Sequence, residues 1–217
     1  MPLTVAFVSQ KGGVGKSTLA RALAVVAAGT GLRVLLADLD SRQKTLMLWA
    51  HEFDARHVSL PLRVEAFRNV KEALISAQEA DLLIVDTPGQ INEDTDAVVH
   101  NAHLIVQPTS PSLDDLRLAV LVFEALMRVG IPQERLAFAL CSVLADKEGE
   151  AARSYLKGKG YQVLAGSILE QLAYRDALNH GRAITETRYP KLNARALELV
   201  TDLLERLRSG KETASAA

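Results

Sequence analysis

A glycine-rich segment near the start of the chain has the residue types needed to hold a phosphorylated ligand. The segment reads KGGVGKST and spans Lys11–Thr18. Its glycines allow a turn in which successive backbone N–H groups converge on phosphate oxygens, and a helix that starts there adds a favourable dipole. The lysine after the last glycine would reach the terminal phosphates, and the next hydroxyl would ligate Mg²⁺. We therefore predict a nucleotide site formed by Lys11, Gly12, Gly13, Val14, Gly15, Lys16, Ser17 and Thr18.

The segment departs from the common phosphate-loop pattern GxxxxGK[ST] at one position. Gln10 stands where the first glycine is expected, and a second lysine, Lys11, follows it. A simpler interpretation is that glycine, lysine and serine form a flexible surface turn. The flanks argue against that interpretation, because an apolar strand-like run, Leu3–Val8, precedes the segment and a helix-like run, Leu19–Ala28, follows it.

Three aspartates follow apolar runs and are the candidate metal-facing and catalytic acids. Asp38 and Asp40 lie in ADLD, and Asp86 lies in LLIVDTPG. The carboxyl end of a strand is where open α/β sheets present groups to ligands. Asp86 is therefore predicted to hold Mg²⁺ through a water, while Ser17 holds it directly. The predicted metal-facing set is Ser17, Asp38, Asp40 and Asp86.

The segments around these acids could also cap a helix or respond to the bound phosphate. Asp38 or Ser41 could instead cap a helix that begins near Lys44, which would give that side chain a structural role. The residues that follow Asp86, Thr87–Gly89, form a turn that could respond to the terminal phosphate, as the second switch of related nucleotide-dependent proteins does.

The elements that must position these residues alternate between strand and helix. Short apolar runs rich in β-branched residues predict buried parallel strands, and the stretches between them have helical spacing. The predicted fold class is α/β, a doubly wound and mostly parallel sheet with helices on both faces, as in Rossmann-like three-layer P-loop NTPases. The predicted strands are Leu3–Val8, Val34–Ala37, Leu82–Val85, Leu104–Val106 and Leu136–Leu140, with weaker signals at Leu62–Phe67 and Gln162–Ala165; the predicted helices are Leu19–Ala28, Val70–Ala77, Leu116–Val129 and Asn193–Leu207.

The composition limits the number of domains and the kinds of ligand and partner that the chain can have. The 217 residues are 48% hydrophobic, which suits one domain, predicted at residues 1–208 with a flexible tail at 209–217. The single cysteine, Cys141, excludes a disulfide framework within the chain and a cysteine-ligated cluster. A net charge of −1 means that any binding to nucleic acid must depend on a local patch. With neither a signal sequence nor a membrane-spanning run, we expect a soluble, cytoplasmic protein.

The KGGxGK[ST] signature resembles that of the deviant Walker A ATPases, which include ParA-type partition ATPases, the cell-division regulator MinD, nitrogenase iron protein and arsenite-pump ATPases. This resemblance implies ATP and Mg²⁺ as cofactors and an ATP-sandwiched homodimer. It also implies that Lys11 crosses to the phosphates bound by the other subunit, where it could act much as an arginine finger does. Asp40 would lie beside the attacking water and accept its proton. The catalytic residues implied are Lys11, Lys16 and Asp40.

Within that family, the chain is most similar to short ParA or ParF-like partition ATPases. Cluster cysteines and an internal duplication are missing, and the last predicted helix carries acidic residues where a membrane-binding MinD-type helix would be basic. The segment Ser167–Glu186 resembles the part of ParA proteins that follows the last strands. Because the phosphate loop starts at Lys11, we expect no N-terminal helix-turn-helix. The resemblance implies a nucleoid-associated ATP dimer that binds non-specific DNA and is released when a ParB-like partner stimulates hydrolysis.

The expected DNA contacts are basic side chains. Basic residues cluster late in the chain, yet Glu170, Asp176 and Glu186 are interleaved with them, so an ordinary solvated face is an equal alternative. Other possible functions are positioning of a protein cargo, MinD-like regulation, and an ATP-dependent ligase of the dethiobiotin synthetase or cobyrinic acid amidase type. The candidate DNA-binding residues are Arg175, Arg182, Arg188, Lys191 and Arg195.

Overall fold

The fold is built on one sheet of seven parallel strands. The computed structural model describes residues 2–40, 45–56, 59–89 and 93–215, together with the side chains of all of these except residues 93–94 and 211–215. The strands lie side by side in the order β3-β2-β4-β1-β5-β6-β7. In chain order they are β1 Leu3–Phe7, β2 Val34–Asp38, β3 Leu62–Ala66, β4 Leu82–Asp86, β5 Leu104–Thr109, β6 Leu136–Leu140 and β7 Gln162–Val163.

Helices cover both faces of this sheet. One face packs against α1, α2, α7 and α8, and the other packs against α3, α4, α5 and α6. Successive residues of a strand point to opposite faces, so that Val5 and Phe7 enter the first core while Ala6 and Val8 enter the second. The helices are α1 Lys16–Gly29, α2 Thr45–Ala55, α3 Val70–Ser76, α4 Glu93–Asn101, α5 Leu113–Arg128, α6 Asp146–Gly158, α7 Leu172–Asn179 and α8 Pro190–Ser215.

The predicted fold class is confirmed, since every strand pair in the sheet is parallel and helices lie on both sides. Both weaker strand predictions correspond to strands, β3 and β7. Helix α8 differs from its prediction, because it begins at Pro190 and continues to Ser215 rather than ending at Leu207. The last residues contain lysine, glutamate and alanine, which favour helix, but their lack of large apolar groups hid the continuation. The division into one domain and a tail stays a prediction.

The carboxyl edge of the sheet brings the predicted acids together. In the parallel register, Asp86 of β4 is the Cα partner of Phe7 in β1 on one side and of Asp38 in β2 on the other. The loops that leave these three strands therefore begin at one level. Within the described residues, no helix is long and apolar enough to cross a membrane.

A close contact joins α2 to the segment that follows α7. Gly181 has φ +63°, and a Cβ built there would lie 2.4 Å from the carbonyl carbon of Glu52 and 2.5 Å from the amide nitrogen of Phe53. Only glycine fits this position, because the left-handed backbone disfavours other residues and the backbone of α2 cannot yield as a side chain would.

We expect Gly181→Ala to lower the free energy of unfolding by about 2–5 kcal/mol, from left-handed strain together with overpacking. Gly130→Ala is the matched control, because Gly130 has φ +90° but nothing within 4 Å of its built Cβ. The control should lose only about 1–2 kcal/mol. Urea denaturation followed by circular dichroism measures both, and equal losses would contradict the close contact.

Candidate active site

The glycine-rich segment forms the loop between β1 and α1. Gly13 and Gly15 adopt left-handed backbone angles, with φ +77° and +106°, so the chain can turn sharply before the helix begins at Lys16. No side chain caps the start of α1, and its first turn has no acidic residue. A helix start of this kind presents backbone N–H groups and a positive dipole end to an anion.

The two lysines of the loop have different surroundings. Lys16 is buried, and its Nζ donates to Ser9 Oγ at 3.2 Å. Burial lowers the pKa of Lys16, while the charges of Asp86 and Asp40 oppose that shift. Lys11 lies outside, with 60% of its side chain exposed and its Nζ 2.9 and 3.0 Å from the carboxylate oxygens of Asp115 on α5. Thus only Lys16 lies inside the site of its own chain.

Ser17 and Asp86 form the pair expected of an Mg²⁺ site. Ser17 Oγ donates to Asp86 Oδ2 at 2.6 Å. Asp86 Oδ1 is buried and has no hydrogen-bond partner among the described residues. Burial raises the pKa of Asp86 to about 7, against the opposing effects of Ser17 and Lys16. A hydroxyl beside an unsatisfied carboxylate oxygen fits Mg²⁺, which prefers such oxygens and would offset negative charge on a nucleotide.

Asp38 connects the site to the start of α2. Its buried carboxylate accepts a hydrogen bond from the backbone N–H of Asp40 at 2.8 Å and another from the backbone N–H of Leu46. Burial raises the pKa of Asp38, and these two hydrogen bonds oppose the shift. Both readings of Asp38 therefore have support, because it lies next to Asp86 and also bonds the first turn of α2. Asp40 is half-buried at the same edge, and its catalytic role stays a prediction.

Two further contacts define the shape of the loop. The built Cβ of Gly89 would lie 3.4 Å from Cα of Gly12, so the turn after β4 packs on the phosphate loop. Beneath the loop, the built Cβ of Gly15 would lie 3.2 Å from the Sγ of buried Cys141. A Cβ at Gly15 would require a small shift of Cys141, whereas one at Gly89 would make an ordinary van der Waals contact with the loop.

Three residues at the site were not predicted. Ser9 accepts the hydrogen bond of Lys16, Asp115 pairs with Lys11, and Arg21 is buried on α1 near the aspartates. Only Arg21 had a usable signal in the sequence, because a charged residue interrupts the otherwise small and apolar stretch after Thr18.

The five candidate DNA-binding residues differ in their surroundings. Arg182, Arg188 and Lys191 line one concavity of about 940 Å³, and Arg175 is exposed on α7. Arg195 is a correction, because its guanidinium bonds inside the protein: it lies 2.5 Å from Asp146 and donates to the carbonyl and hydroxyl oxygens of Ser167. Arg195 therefore serves the packing of α8 and is not part of the concavity.

These features define a class of protein. A loop with two lysines follows the central strand of a parallel sheet, and beside it a serine hydroxyl bonds a buried aspartate at a strand end, as in P-loop nucleotide hydrolases. The chain belongs to the CobQ/CobB/MinD/ParA nucleotide-binding domain family, whose model matches residues 5–209. The resemblance to ParA and MinD proteins is confirmed, and the chain is an ATPase that uses ATP and Mg²⁺.

Individual relatives agree with this assignment. The chain is 33% identical over 191 residues to the maintenance of carboxysome distribution protein A of Gloeobacter kilaueensis, a match that covers 86% of each chain. A chain of the MinC:MinD cell division protein complex of Aquifex aeolicus has a similar fold, with a TM-score of 0.74 and 20% identity. The match covers 94% of this chain and 96% of that chain. The septum site-determining protein MinD of Pyrococcus horikoshii, complexed with Mg-ADP, also has a similar fold, with a TM-score of 0.72 and 18% identity. That match covers 94% of this chain and 96% of the MinD chain.

Proposed function

We propose that the protein is a ParA-type partition ATPase that binds non-specific DNA as an ATP-dependent homodimer. The observation that carries this proposal is the concavity lined by three exposed basic side chains, Arg182, Arg188 and Lys191. Glu170 and Asp176 line the same concavity, which leaves one net positive charge in each protomer. A patch this weak binds DNA poorly alone, whereas two patches held together act as one bivalent site. DNA binding should therefore require the dimer.

The surroundings of Lys11 support the dimer. Lys16 already occupies the cation position inside its own phosphate site, while the mostly exposed Lys11 bonds Asp115 at the surface. Breaking an exposed ion pair costs little, about 0–1 kcal/mol, so Lys11 can exchange Asp115 for phosphates of a second subunit. We place the dimer on the nucleoid in the cytoplasm and expect a ParB-like partner to stimulate hydrolysis and release it.

A second candidate function is positioning of a protein assembly by the same ATP and DNA cycle. It is favoured by the 33% identity to a carboxysome distribution protein over 86% of the chain. The two candidates differ in the activating partner, which is a centromere-binding protein for partition and a cargo-bound adaptor for positioning. Stimulation of ATP turnover by one of these partners, measured in the presence of DNA, distinguishes them.

The DNA prediction is tested by fluorescence anisotropy on unrelated duplexes across a salt series, with ATP, ADP or no nucleotide. We expect tight binding only with ATP, little dependence on base sequence and a steep loss of affinity with salt. Arg188→Ala should weaken binding about tenfold and lower the log–log salt slope by roughly 2, because each dimer loses two phosphate contacts.

Lys71→Ala is the matched control, because this exposed lysine lies on α3, on the opposite face of the sheet from α7 and α8. It should change neither the affinity nor the salt slope. Equal binding in all three nucleotide states would remove the ATP switch from the proposal. No binding in any state at low salt would exclude the DNA role.

A further inference from the structure

Arg21 is a buried arginine on α1 that lies outside the phosphate loop. It contacts α2, the helix that follows Asp38 and Asp40. Arg21 is 5% exposed, one turn beyond Ser17, and its Nη2 donates to the carbonyl oxygen of Thr45 at 3.2 Å. Its guanidinium carbon lies 5.7 Å from the centre of the Trp49 ring. Among the described residues, its Nε has no hydrogen-bond partner. Burying a cation is unfavourable unless nearby charges compensate. Burial lowers the pKa of Arg21 to about 10, and the negative charges of Asp86 and Asp38 oppose that shift in part.

The first turn of α2 is thus held by two groups of the nucleotide site. Arg21 donates to the Thr45 carbonyl, and the Asp38 carboxylate accepts from the Leu46 N–H. Both groups interact with the charge of Asp86 at the predicted Mg²⁺ position. Asp38 neighbours Asp86 in the sheet, and the negative charge of Asp86 raises the pKa of Arg21 against the effect of burial. A change in charge at that position acts on Arg21 and Asp38 together and hence on the start of α2.

Trp49 in the middle of α2 and Arg56 directly after its last residue hold the segment that contributes Arg182 to the basic concavity. Trp49 Nε1 donates to the carbonyl oxygen of Arg182 at 3.1 Å. Arg56 donates to the carbonyl oxygen of Gly181 at 2.8 Å and pairs with Glu186 at 2.8 Å. Because the backbone of Gly181 also packs directly on α2, residues 181–186 cannot stay in place if α2 moves.

We propose that Arg21 and Trp49 couple the nucleotide site to residues 181–188, with Arg21 as the positioning residue and α2 as the element that moves. Helix α2 is 11 residues long. Its first turn and Trp49 contact Arg21 of the phosphate-loop helix, and Trp49 and the following Arg56 contact the basic segment. ATP and Mg²⁺ at the loop add charge beside Asp38 and Asp86, which shifts the balance that holds Arg21. This inference rests on the proposed function for the meaning of the basic segment, but the coupling itself needs no DNA.

Trp49 is a built-in reporter of this coupling, because it is the only tryptophan of the 217 residues. Wild-type emission should change when a non-hydrolysable ATP analogue binds with Mg²⁺, since the ring lies against Arg21 and its N–H bonds Arg182. At analogue concentrations that isothermal titration calorimetry shows to be saturating for each protein, Arg21→Met should lose most of the relative emission change. A full emission change in this variant would overturn the proposal.

Arg153→Met is the matched control. Arg153 is a largely buried arginine that donates to two backbone carbonyls, those of Leu164 and Gly166, but it lies on α6. This variant should keep the full Trp49 response, which separates loss of the coupling from a general loss of packing. Loss of the response in both variants would contradict a specific role for Arg21.

If Arg21→Met does not fold, a measurement on the wild-type protein tests the coupling between the nucleotide site and residues 181–188. Hydrogen exchange of the amides of residues 181–188 should change on binding of the Mg²⁺-loaded analogue, together with those of the phosphate loop. Protection confined to the phosphate loop would overturn the coupling. Neither readout involves DNA, so a positive result with no DNA binding would retain the coupling and exclude only the DNA role.

Discussion

Lys16→Ala is expected to abolish nucleotide binding at physiological ATP concentrations. Lys16 is the buried cation of the loop, held by Ser9 and by the charges of Asp86 and Asp40. Removing one partner of a buried charged contact costs about 2–5 kcal/mol, which corresponds to roughly 30- to 4,000-fold weaker binding. Isothermal titration calorimetry with ATP and Mg²⁺ measures the loss, after circular dichroism has verified the fold.

The second lysine of the same loop provides the control. Lys11→Ala removes an exposed side chain that bonds Asp115 in the monomer, so the intrinsic ATP affinity should stay within about threefold of wild type. Dimerisation with ATP should nevertheless be lost, as size-exclusion chromatography with light scattering would show. Wild-type ATP affinity in Lys16→Ala would overturn the phosphate-loop assignment.

Asp40→Ala should bind ATP and dimerise but hydrolyse ATP at least about 100-fold more slowly, because a positioned general base typically contributes 10²–10⁴ to a rate. Asp40 stands at the carboxyl edge of the sheet, with its backbone bonded to Asp38. The variant should therefore accumulate as a stable ATP dimer. Phosphate release measures turnover, and light scattering measures the dimer.

Asp54→Ala serves as the comparison, because Asp54 is an exposed aspartate on α2 away from the sheet edge. Its turnover should match wild type. If Asp40→Ala hydrolysed ATP at the parent rate, another group would have to orient the water.

The sequence was sufficient for the parts of the molecule that depend on local pattern. Apolar runs ending in Asp38 and Asp86, together with the glycine loop, indicated the strands and the sheet edge at which these aspartates meet. Helix α6 was not predicted, because its buried contacts are only Gly149, Ala152 and Leu156 among many charged residues. Little apolar periodicity remains in such a segment.

Two of the three missed site residues have partners far away in the chain. Arg21 bonds Thr45, and Asp115 pairs with Lys11 across 104 residues. Only the packing of α1, α2 and α5 on the sheet brings those groups together. Arg195 illustrates the opposite error, since its basic character suggested a surface role until its contact with Ser167 was known. Charge alone does not tell whether a basic side chain faces a ligand or bonds its own backbone.

The cysteine beneath the phosphate loop has a consequence for the redox behaviour of the protein. Burial raises the pKa of Cys141 to about 12. The thiolate is the form that reacts with peroxides and alkylating agents, and at pH 7 only about one molecule in 10⁵ would carry it. Because no other cysteine occurs in the 217 residues, the protein has almost no reactive thiol. The packing under Gly15 should therefore persist under oxidative conditions that inactivate enzymes with exposed thiols.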